Sequence, residues 1–478
     1  MMKKTKVVCT MGPNTNDREL MKQLMLNGMD VARFNFSHGD HEEQKGRMDI
    51  LKQLREELHT NTAMLLDTKG PEIRTGKLKD GKKVTLETGA SFILTTEEIE
   101  GDASKVSITY KGLPEDVDRG STILIDDGLI GLKVVSRTDK EIRCEVVNGG
   151  ELGEKKGVNF PNLNINLPSV TAQDRADIMF GCELGIDAIA ASFIRDGKAV
   201  QEIRKICIEM GTPEVLIFPK IESALGVKNF DEILHEADGC MVARGDLGVE
   251  VPAAQVPHIQ KTIIKKCNQH YKPVITATQM LDSMQRNPRP TRAEITDVAN
   301  AIYDGTDCVM LSGETAAGKY PIEAVKTMSE ICKETEKYLP ERKEYHDRGG
   351  VRNVNGATGF AALEMADRVN AKCILAPTHS GRSARLISTF RPKMPLYATS
   401  PSEETIRRTC FYWGVYAYRT VEQGSLSSTL YNALTTAKNN GLVDTGDIVV
   451  ITAGDAQTSP RLGDYTTSTN MAMVAQVQ

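Results

Sequence analysis

The sequence lacks the features that mark several classes of protein. Its ten cysteines include no C-x-x-C pair and no cluster with histidine, which argues against a zinc site or a disulfide framework and favours free thiols in a reducing compartment. No apolar run reaches the roughly 18 residues of a membrane-spanning helix. The N-terminal MMKKTKVVCTMGP has too short an apolar stretch for a signal peptide. We therefore expect a cytoplasmic protein with no membrane partner.

The chain also lacks a strong charge of either sign. Its 59 basic and 64 acidic residues give a net charge of −5, and no basic tract suggests binding to nucleic acid. Hydrophobic residues make up 40% and charged residues 26% of the composition, which is typical of a globular protein. A length of 478 residues indicates about three domains.

One pattern recurs along the chain: a short apolar run ends in polar residues, and a helical pattern usually follows. Continuous apolar runs of this length predict strands that are buried on both faces. The predicted strands are Lys6–Thr10, Val31–Phe36, Ala63–Asp67, Ala188–Ser192, Leu216–Pro219, Cys240–Ala243, Val274–Ala277 and Cys308–Leu311. The predicted helices are Asp17–Asn27, His41–His59, Thr171–Leu184, Lys198–Met210, Phe230–Glu236, Ala253–His270, Arg292–Ile302 and Ile322–Tyr338.

Eight buried strands that alternate with eight helices predict a closed (β/α)8 TIM barrel, although the periodicity alone also fits an open, doubly wound sheet. Length favours the barrel, since residues 1–71 and 169–340 together approach the roughly 250 residues that are typical of one. Residues 72–168 carry short alternating strands, which predict a small inserted β-barrel that acts as a lid. Residues 341–478 predict a C-terminal α/β domain.

Polar residues gather at the predicted strand ends, which in a barrel meet on one face. They include two carboxylates suited to a hard metal, several cations suited to phosphate, and oxygen ligands on two strands that could bind a monovalent cation. The residues are Arg33, Asn35, Ser37, Asp67, Thr68, Lys220, Glu222, Arg244, Asp246, Thr278, Ser312 and Glu314.

Three of these segments have alternative interpretations. Lys220 could bind a phosphoryl group together with Glu222, or it could extend to solvent or simply pair with Glu222. Gly245 could let the backbone of Arg244-Gly245-Asp246 approach a ligand, or the segment could be a tight turn with a helix cap. The alternating Arg33–His38 pattern also fits a half-exposed edge strand.

Five longer segments resemble those of the pyruvate kinase family: DTKGPEIRTG, KIES, MVARGDLGVE, ITATQMLDSM and PTRAEITDVANAIYDGTDCVMLSGETAAGKYP. The resemblance runs from Thr5 to the C-terminus and keeps the order of barrel, inserted lid and third domain. It implies transfer of the phosphoryl group of phosphoenolpyruvate to ADP, which gives pyruvate and ATP in the last step of glycolysis. It also implies Mg²⁺ (or Mn²⁺) and K⁺ as cofactors, and a homotetramer.

The resemblance also assigns roles to individual residues. Lys220 and Arg33 correspond to the phosphoryl-binding cations, and Gly245, Asp246 and Thr278 to the cradle for the substrate carboxylate. Thr278 and Ser312 lie where the enolate is protonated. The implied ligand sets are Glu222 and Asp246 for the divalent metal, Asn35, Ser37, Asp67 and Thr68 for potassium, and Asn35, His38, Arg74 and Lys156 for the nucleotide.

A further phosphate signal lies in the third domain. Thr378-His379-Ser380-Gly381-Arg382-Ser383 follows an apolar strand and opens a helix, so its hydroxyls and amides form either an anion site or an ordinary helix cap by Ser380 or Ser383. The resemblance implies an allosteric sugar-phosphate or nucleotide site at Thr378, Ser380, Gly381, Arg382 and Ser383. The Gly454–Asn470 loop resembles the effector loop of the family but departs from its usual pattern near Asp464-Tyr465-Thr466.

Two other functions fit parts of the same pattern. The first is a Mg²⁺-dependent barrel lyase that acts on phosphoenolpyruvate or a related keto acid, but a lyase has no use for nucleotide contacts. The second is a non-catalytic sensor that binds only a sugar phosphate, which would not require Lys220, Glu222, Asp246 and Thr278 to be present together. Formation of pyruvate from phosphoenolpyruvate and ADP distinguishes all three.

Overall fold

A computed structural model describes residues 2–161, 163, 165–340, 354–422, 425–454 and 469–478. Its helices are α1 Arg18–Leu26, α2 His41–Leu58, α3 Leu113–Asp116, α4 Ala172–Glu183, α5 Gly197–Glu209, α6 Ala224–Lys228, α7 Phe230–Glu236, α8 Arg244–Glu250, α9 Val256–Gln269, α10 Arg292–Asp304, α11 Gly313–Ala316, α12 Pro321–Glu336, α13 Val354–Arg368, α14 Arg382–Thr389, α15 Glu403–Arg408 and α16 Leu426–Asn439. In this described part, no helix combines the length and the apolarity that crossing a bilayer requires.

The strands fall into four sheets. They are β1 Lys6–Met11, β2 Val31–Asn35, β3 Ala63–Asp67, β4 Val84–Leu86, β5 Ser91–Thr95, β6 Lys105–Ser107, β7 Thr122–Ile125, β8 Ile130–Arg137, β9 Glu141–Asn148, β10 Gly150–Leu152, β11 Val158–Asn159, β12 Ala188–Ala191, β13 Leu216–Ile221, β14 Cys240–Ala243, β15 Val274–Ala277, β16 Cys308–Leu311, β17 Cys373–Pro377, β18 Leu396–Ser400, β19 Val415–Arg419, β20 Ile448–Ala453 and β21 Met471–Gln476.

The predicted TIM barrel is confirmed: eight strands form a closed parallel barrel in the order β1-β16-β15-β14-β13-β12-β3-β2. Most of its strands are buried along their whole length, as their continuous apolar runs indicate. Strand β13 is two residues longer than predicted, because it continues past Pro219 and pairs Lys220 with Met241. Lys220 therefore lies inside a barrel strand and not after one.

Four aspartates tie the amino-terminal ends of the barrel strands together. They precede β2, β12, β14 and β16, which are the second, fourth, sixth and eighth barrel strands in chain order. Each accepts a hydrogen bond from a backbone N–H of the preceding barrel strand, at 2.7–2.9 Å between nitrogen and oxygen. The pairs are Asp30 with Val7, Asp187 with Met64, Asp238 with Ile217, and Asp307 with Val274. These bonds satisfy donors that the parallel ladder leaves open at its start.

The residues between β3 and α4 form a separate apolar core. A six-stranded sheet in the order β11-β7-β8-β9-β5-β6 and a two-stranded sheet of β10 and β4 surround this core. Alternation of buried and exposed residues along β8 and β9 has the period of two that predicted strands here. This inserted unit emerges at the carboxyl ends of the barrel strands, on the side where the polar residues gather.

The C-terminal α/β domain is also confirmed. Its sheet has the order β19-β18-β17-β20-β21, with β21 antiparallel to its neighbour. The barrel interior and this domain share one apolar cluster, in which the Phe218 and Phe411 rings lie 5.0 Å apart. The domain therefore closes the end of the barrel opposite the polar face.

Two buried ion pairs join the C-terminal domain to the aspartates at that end. Arg407 Nε donates to Asp187 Oδ1 at 2.8 Å. Arg391 Nη1 donates to Asp307 Oδ1 at 2.7 Å, and the side chains of this second pair are 6% and 2% exposed. The Arg391 guanidinium also packs over the Trp413 ring, 4.9 Å from its centroid.

Replacing Arg391 with alanine is expected to destabilise the protein by roughly 3–5 kcal/mol, because the Asp307 charge would stay buried without its partner. The matched control is Arg419→Ala, which removes an arginine from an exposed pair with Glu403 in the same domain and should cost about 1 kcal/mol or less. Thermal unfolding at one protein concentration measures both. Equal shifts for the two variants would contradict the importance of the buried pair.

Candidate active site

A continuous chain of charged contacts runs across the carboxyl ends of the barrel strands. Arg33 Nε donates to Asp67 Oδ2 at 2.6 Å, and Asp67 Oδ1 lies 3.2 Å from Lys220 Nζ. Lys220 Nζ is in turn 2.9 Å from Glu222 Oε1. The structure thus brings together side chains from β2, β3 and β13, together with the carboxylate that follows β13.

Lys220 is held as an ammonium group. Burial lowers its pKa, but the Asp67 and Glu222 carboxylates more than compensate and raise the pKa above its ordinary value. Its side chain is 12% exposed, so it neither extends to solvent nor forms a simple pair with Glu222. The result is a fixed positive charge at the carboxyl ends of the barrel strands, which suits stabilisation of a phosphoryl group.

Glu222 is a buried carboxylate with one oxygen incompletely used. Its Oε2 accepts from Phe193 N at 2.6 Å, whereas Oε1 is close to Lys220 but forms no hydrogen bond of good geometry within the described residues. Burial raises the pKa of Glu222 to about 7, and the Asp246 charge adds to this rise. Glu222 and Asp246 are therefore close enough to repel each other.

This repulsion is what a divalent cation would relieve. Mg²⁺ in proteins commonly uses one or two carboxylates together with substrate oxygens, so the Glu222 and Asp246 pair fits such an ion. No group of three or more His, Cys, Asp or Glu side chains in the described ranges is arranged to hold a metal without a substrate.

Asp246 lies in the first turn of α8, the helix that begins at Arg244. Gly245 N donates to Thr278 Oγ1 at 2.8 Å, and Arg244 Nη2 donates to Thr278 O at 2.6 Å. Thr278 has a φ of +69°, which is costly for a β-branched residue and is held here by its neighbours. The Arg244-Gly245-Asp246 segment is thus neither a free loop nor a helix cap by Asp246, because it forms the first turn of α8 and the cap position is Ala243.

The four predicted potassium ligands lie together at the ends of β2 and β3. Asn35 is paired in register with Asp67, and Asn35 Oδ1 accepts from Ser37 N at 3.1 Å. Burial opposes ionisation of Asp67, but Arg33 and Lys220 lower its pKa below the ordinary value. The group is rich in oxygen atoms and carries a stable negative charge, which fits a monovalent cation.

The nucleotide candidates fall in two places. Asn35 and His38 line one cleft at the ends of β1, β2 and β16, next to the catalytic candidates Arg33 and Ser312. Arg74 and Lys156 lie on the inserted unit instead, where Arg74 pairs with Glu72 and Lys156 Nζ is 2.9 Å from Asp126 Oδ1. A second cleft, between the inserted unit and the barrel, is lined by Glu72, Asp127, Phe193, Asp246 and Glu250 among others.

The predicted effector segment precedes α14. Gly381 occupies the cap position with a φ of +82° and without a side-chain cap, so neither Ser380 nor Ser383 is the helix cap. Gly381 N donates to Thr378 Oγ1 at 2.9 Å, and Ser383 Oγ shares a hydrogen bond with Thr469 Oγ1. Arg382 is the first residue of the helix. Most of the Gly454–Asn470 loop, including Asp464-Tyr465-Thr466, lies outside the described residues.

Three residues of the cluster were not singled out from the sequence. Ser192 Oγ accepts from Lys220 Nζ at 2.8 Å, Thr10 Oγ1 accepts from Arg33 Nη1 at 2.8 Å, and Phe193 has a φ of +53° that aims its amide at Glu222. Uncharged residues at strand ends are common, so their identity carries little signal. Their position at the end of a predicted barrel strand was the available clue.

The fold and the cluster together define a (β/α)8-barrel enzyme whose site combines fixed cations with buried carboxylates. Comparison with known protein families identifies the family to which this enzyme belongs. Residues 2–325 match the family model of the pyruvate kinase barrel domain, and residues 356–475 match that of the pyruvate kinase alpha/beta domain. The chain belongs to the pyruvate kinase family, and is therefore an enzyme of the kinase class.

Individual relatives support the same family assignment. Pyruvate kinases of Staphylococcus epidermidis and Staphylococcus aureus are each 50% identical over 457 residues, which is 95% of this chain and 78% of theirs. The crystal structure of a pyruvate kinase from Cryptosporidium parvum superposes with a TM-score of 0.93 at 39% identity, and the match covers 100% of this chain and 96% of that one.

Proposed function

We propose that this protein transfers the phosphoryl group of phosphoenolpyruvate to ADP and so completes glycolysis with pyruvate and ATP. The observation that carries the proposal is the buried Lys220 ammonium, held 3.2 Å from Asp67 and 2.9 Å from Glu222, in a family that has this activity. A loose phosphoryl-transfer transition state spreads negative charge over the phosphoryl oxygens, and a fixed ammonium at that point stabilises it.

Each proposed role follows from the chemistry of the residue. Arg33 binds the phosphate with the guanidinium N–H groups that do not donate to Asp67 or Thr10. Lys220 stabilises the phosphoryl group during transfer. The backbone of Gly245 and Asp246, with Thr278, binds the substrate carboxylate. Thr278 and Ser312 position the water that protonates the enolate.

Glu222 and Asp246 would hold Mg²⁺ or Mn²⁺, which supplies charge neutralisation to the phosphoryl oxygens. Asn35, Ser37, Asp67 and Thr68 would hold K⁺ beside Lys220. Asn35 and His38 in one cleft, and Arg74 and Lys156 from the inserted unit, would contact the nucleotide. For the latter two, the ion pairs with Glu72 and Asp126 would have to open.

The inserted unit is proposed as a lid that excludes water, which would otherwise compete with ADP. A direct link between lid and barrel supports this role. Glu250 Oε1 accepts from Asn159 Nδ2 and from Phe160 N, both at 3.3 Å, and Glu250 lies in α8 four residues after Asp246. Movement of the lid therefore reaches the helix that carries a metal ligand.

We also propose a sugar-phosphate or nucleotide effector at Thr378, Ser380, Gly381, Arg382 and Ser383, and a homotetramer in the cytoplasm. The hydroxyl and amide groups of this segment and the charge of Arg382 support an anion site.

A coupled assay tests the proposed reaction: pyruvate should form only when phosphoenolpyruvate, ADP, Mg²⁺ and K⁺ are all present. Pyruvate formation without ADP would favour a lyase or a phosphatase. No pyruvate under any of these conditions, from protein that is folded by circular dichroism, would overturn the proposal.

Potassium dependence provides a sharper prediction, and it rests on Glu72. In the pyruvate kinase family a glutamate after the Gly-Pro of this motif accompanies a need for a monovalent cation, whereas a lysine there supplies its own ammonium. Glu72 pairs with Arg74 at the mouth of the cleft.

At constant ionic strength we expect low activity without K⁺ or Na⁺ and recovery on adding K⁺. Glu72→Lys should reduce the dependence, while Glu232→Lys, on an exposed helix face, should not. Full activity of the unmodified protein without a monovalent cation would contradict both the prediction and the proposed potassium ligands.

A further inference from the structure

Ser192 contacts Lys220, Asp67 and Thr68 without having a role in the mechanism above. It follows β12 directly and is 3% exposed. Its Oγ accepts a hydrogen bond from Lys220 Nζ at 2.8 Å. On its other side it faces Asp67 and Thr68, two of the proposed potassium ligands.

The protons of this contact can be assigned. The Lys220 ammonium is only a donor, so the Ser192 oxygen accepts and its single proton must point elsewhere. Two acceptors are available, Thr68 O at 2.5 Å and Asp67 Oδ1 at 3.3 Å. Both belong to the segment that is proposed to bind potassium.

The backbone of Ser192 makes a second bond to the same segment. Ser192 N donates to Thr68 Oγ1 at 3.0 Å, so Ser192 donates two hydrogen bonds to Thr68, one from its amide and one from its hydroxyl. The approach is close: a Cβ on Gly70 would lie 2.8 Å from the Ser192 Cβ. A displacement of Asp67 or Thr68 therefore moves Ser192.

Among the residues that the structure describes, Lys220 is anchored by Asp67, Glu222 and Ser192, and of these only Ser192 is uncharged. A monovalent cation bound to Asp67 would compete with the ammonium for the Asp67 carboxylate, because both are attracted by the same oxygens. Lys220 would then depend more on Ser192 and Glu222. The Ser192 hydroxyl is the anchor that can hold Lys220 in place without neutralising its charge.

We propose that Ser192 is a positioning residue that couples occupation of the monovalent-cation site to the position of the Lys220 ammonium. This inference rests on the proposed function and adds to it the route by which the cation acts. A cation bound at Asp67 would neutralise part of the charge that holds Lys220, and the contacts of Ser192 with Thr68 and Lys220 would then keep the ammonium in position.

The test is Ser192→Ala, assayed for kcat and KM over a range of K⁺ concentrations at constant ionic strength. At saturating K⁺ we expect kcat to fall about 10- to 100-fold, the range for one hydrogen bond to a charged group. The KM for phosphoenolpyruvate should change by less than about threefold, because the effect lies in the transition state. Without K⁺ the two proteins should differ much less, so the activation ratio should fall.

A second measurement separates binding from coupling. The rise in melting temperature on adding K⁺ reports cation binding without activity, and it should persist in Ser192→Ala. Ser329→Ala is the matched control, since Ser329 is equally buried and donates to Asn27 O at 2.9 Å far from the cleft; its kinetics should be unchanged. Should Ser192→Ala fail to fold, Ser192→Cys keeps the volume with a weaker hydrogen-bonding group and should show the same pattern at smaller size.

The outcomes are distinguishable. An equal loss of kcat with and without K⁺, or no loss at all, overturns the coupling while the proposed function stands. Loss of the K⁺-induced stabilisation in the variant also overturns it, because Ser192 would then be part of the binding site. Absence of pyruvate formation by the unmodified protein overturns the proposed function, and the coupling with it.

Discussion

Lys220→Met should lower kcat by about a thousandfold or more, with little change in the KM for phosphoenolpyruvate. The physical reason is that the ammonium acts on charge that is spread over the phosphoryl oxygens only in the transition state, so its removal affects kcat and kcat/KM together. Methionine keeps the length of the side chain and its apolar contacts. Steady-state kinetics at saturating Mg²⁺ and K⁺ measure the effect.

The control for this experiment is Lys83→Met, which removes an exposed lysine that pairs with Glu151 at 3.6 Å. Its activity should match the unmodified protein. Because Lys220→Met leaves Asp67 and Glu222 facing each other without their shared cation, its melting temperature should be measured as well. A folded Lys220→Met protein that retains a tenth of the activity would rule out the assigned role.

Glu222→Gln and Asp246→Asn are each expected to weaken activation by Mg²⁺ selectively. The concentration for half-maximal activation should rise by more than the about 10- to 100-fold that loss of an outer-shell partner costs, because a direct carboxylate ligand is removed in each case. Mn²⁺ binding, followed by electron paramagnetic resonance, should weaken in parallel and provides a readout that is independent of turnover.

An exposed glutamate on the same barrel provides the comparison. Glu232→Gln removes the charge that accepts from Gly197 N at 3.3 Å, and its Mg²⁺ dependence should equal that of the unmodified protein. Unchanged Mg²⁺ dependence in both Glu222→Gln and Asp246→Asn would show that the metal binds elsewhere.

The sequence predicted the barrel well because its signal is local. Strands such as Ala63–Asp67 and Cys240–Ala243 are continuous apolar runs with clear ends, and the structure gives them the predicted bounds. Errors fell where local chemistry misleads. The predicted strand ends at Pro219, where the apolar run stops, yet β13 continues to Ile221.

Other elements depend on contacts that no local pattern reveals. Gly245 and Gly248 disfavour a helix, but Arg244–Glu250 is helical because Thr278 holds its first turn. Strand β21 is exposed or half-exposed along its length although its sequence, MAMVAQ, is mostly apolar, and it forms as the antiparallel neighbour of β20.

The difference between local sequence signals and contacts of distant residues also explains which residues of the candidate site were predicted. Charged residues such as Lys220, Glu222 and Asp246 were found from their places at strand ends, and the structure puts Lys220 and Glu222 in direct contact. Ser192 was missed because its contacts with Thr68 and Lys220 join parts of the chain that are 124 and 28 residues apart. An uncharged side chain reveals its role only when its neighbours are known.

The four aspartates at the amino-terminal end of the barrel have a consequence for how the chain folds. Three of them join strands that are 21–33 residues apart, whereas Asp187 joins Met64 across 123 residues. The entropy lost on closing a loop grows with its length, and contacts between distant residues slow folding. We therefore expect the pairing of β3 with β12 to form late, after the inserted unit has folded and brought its two ends together. Mutations that destabilise this unit should then slow the completion of the barrel.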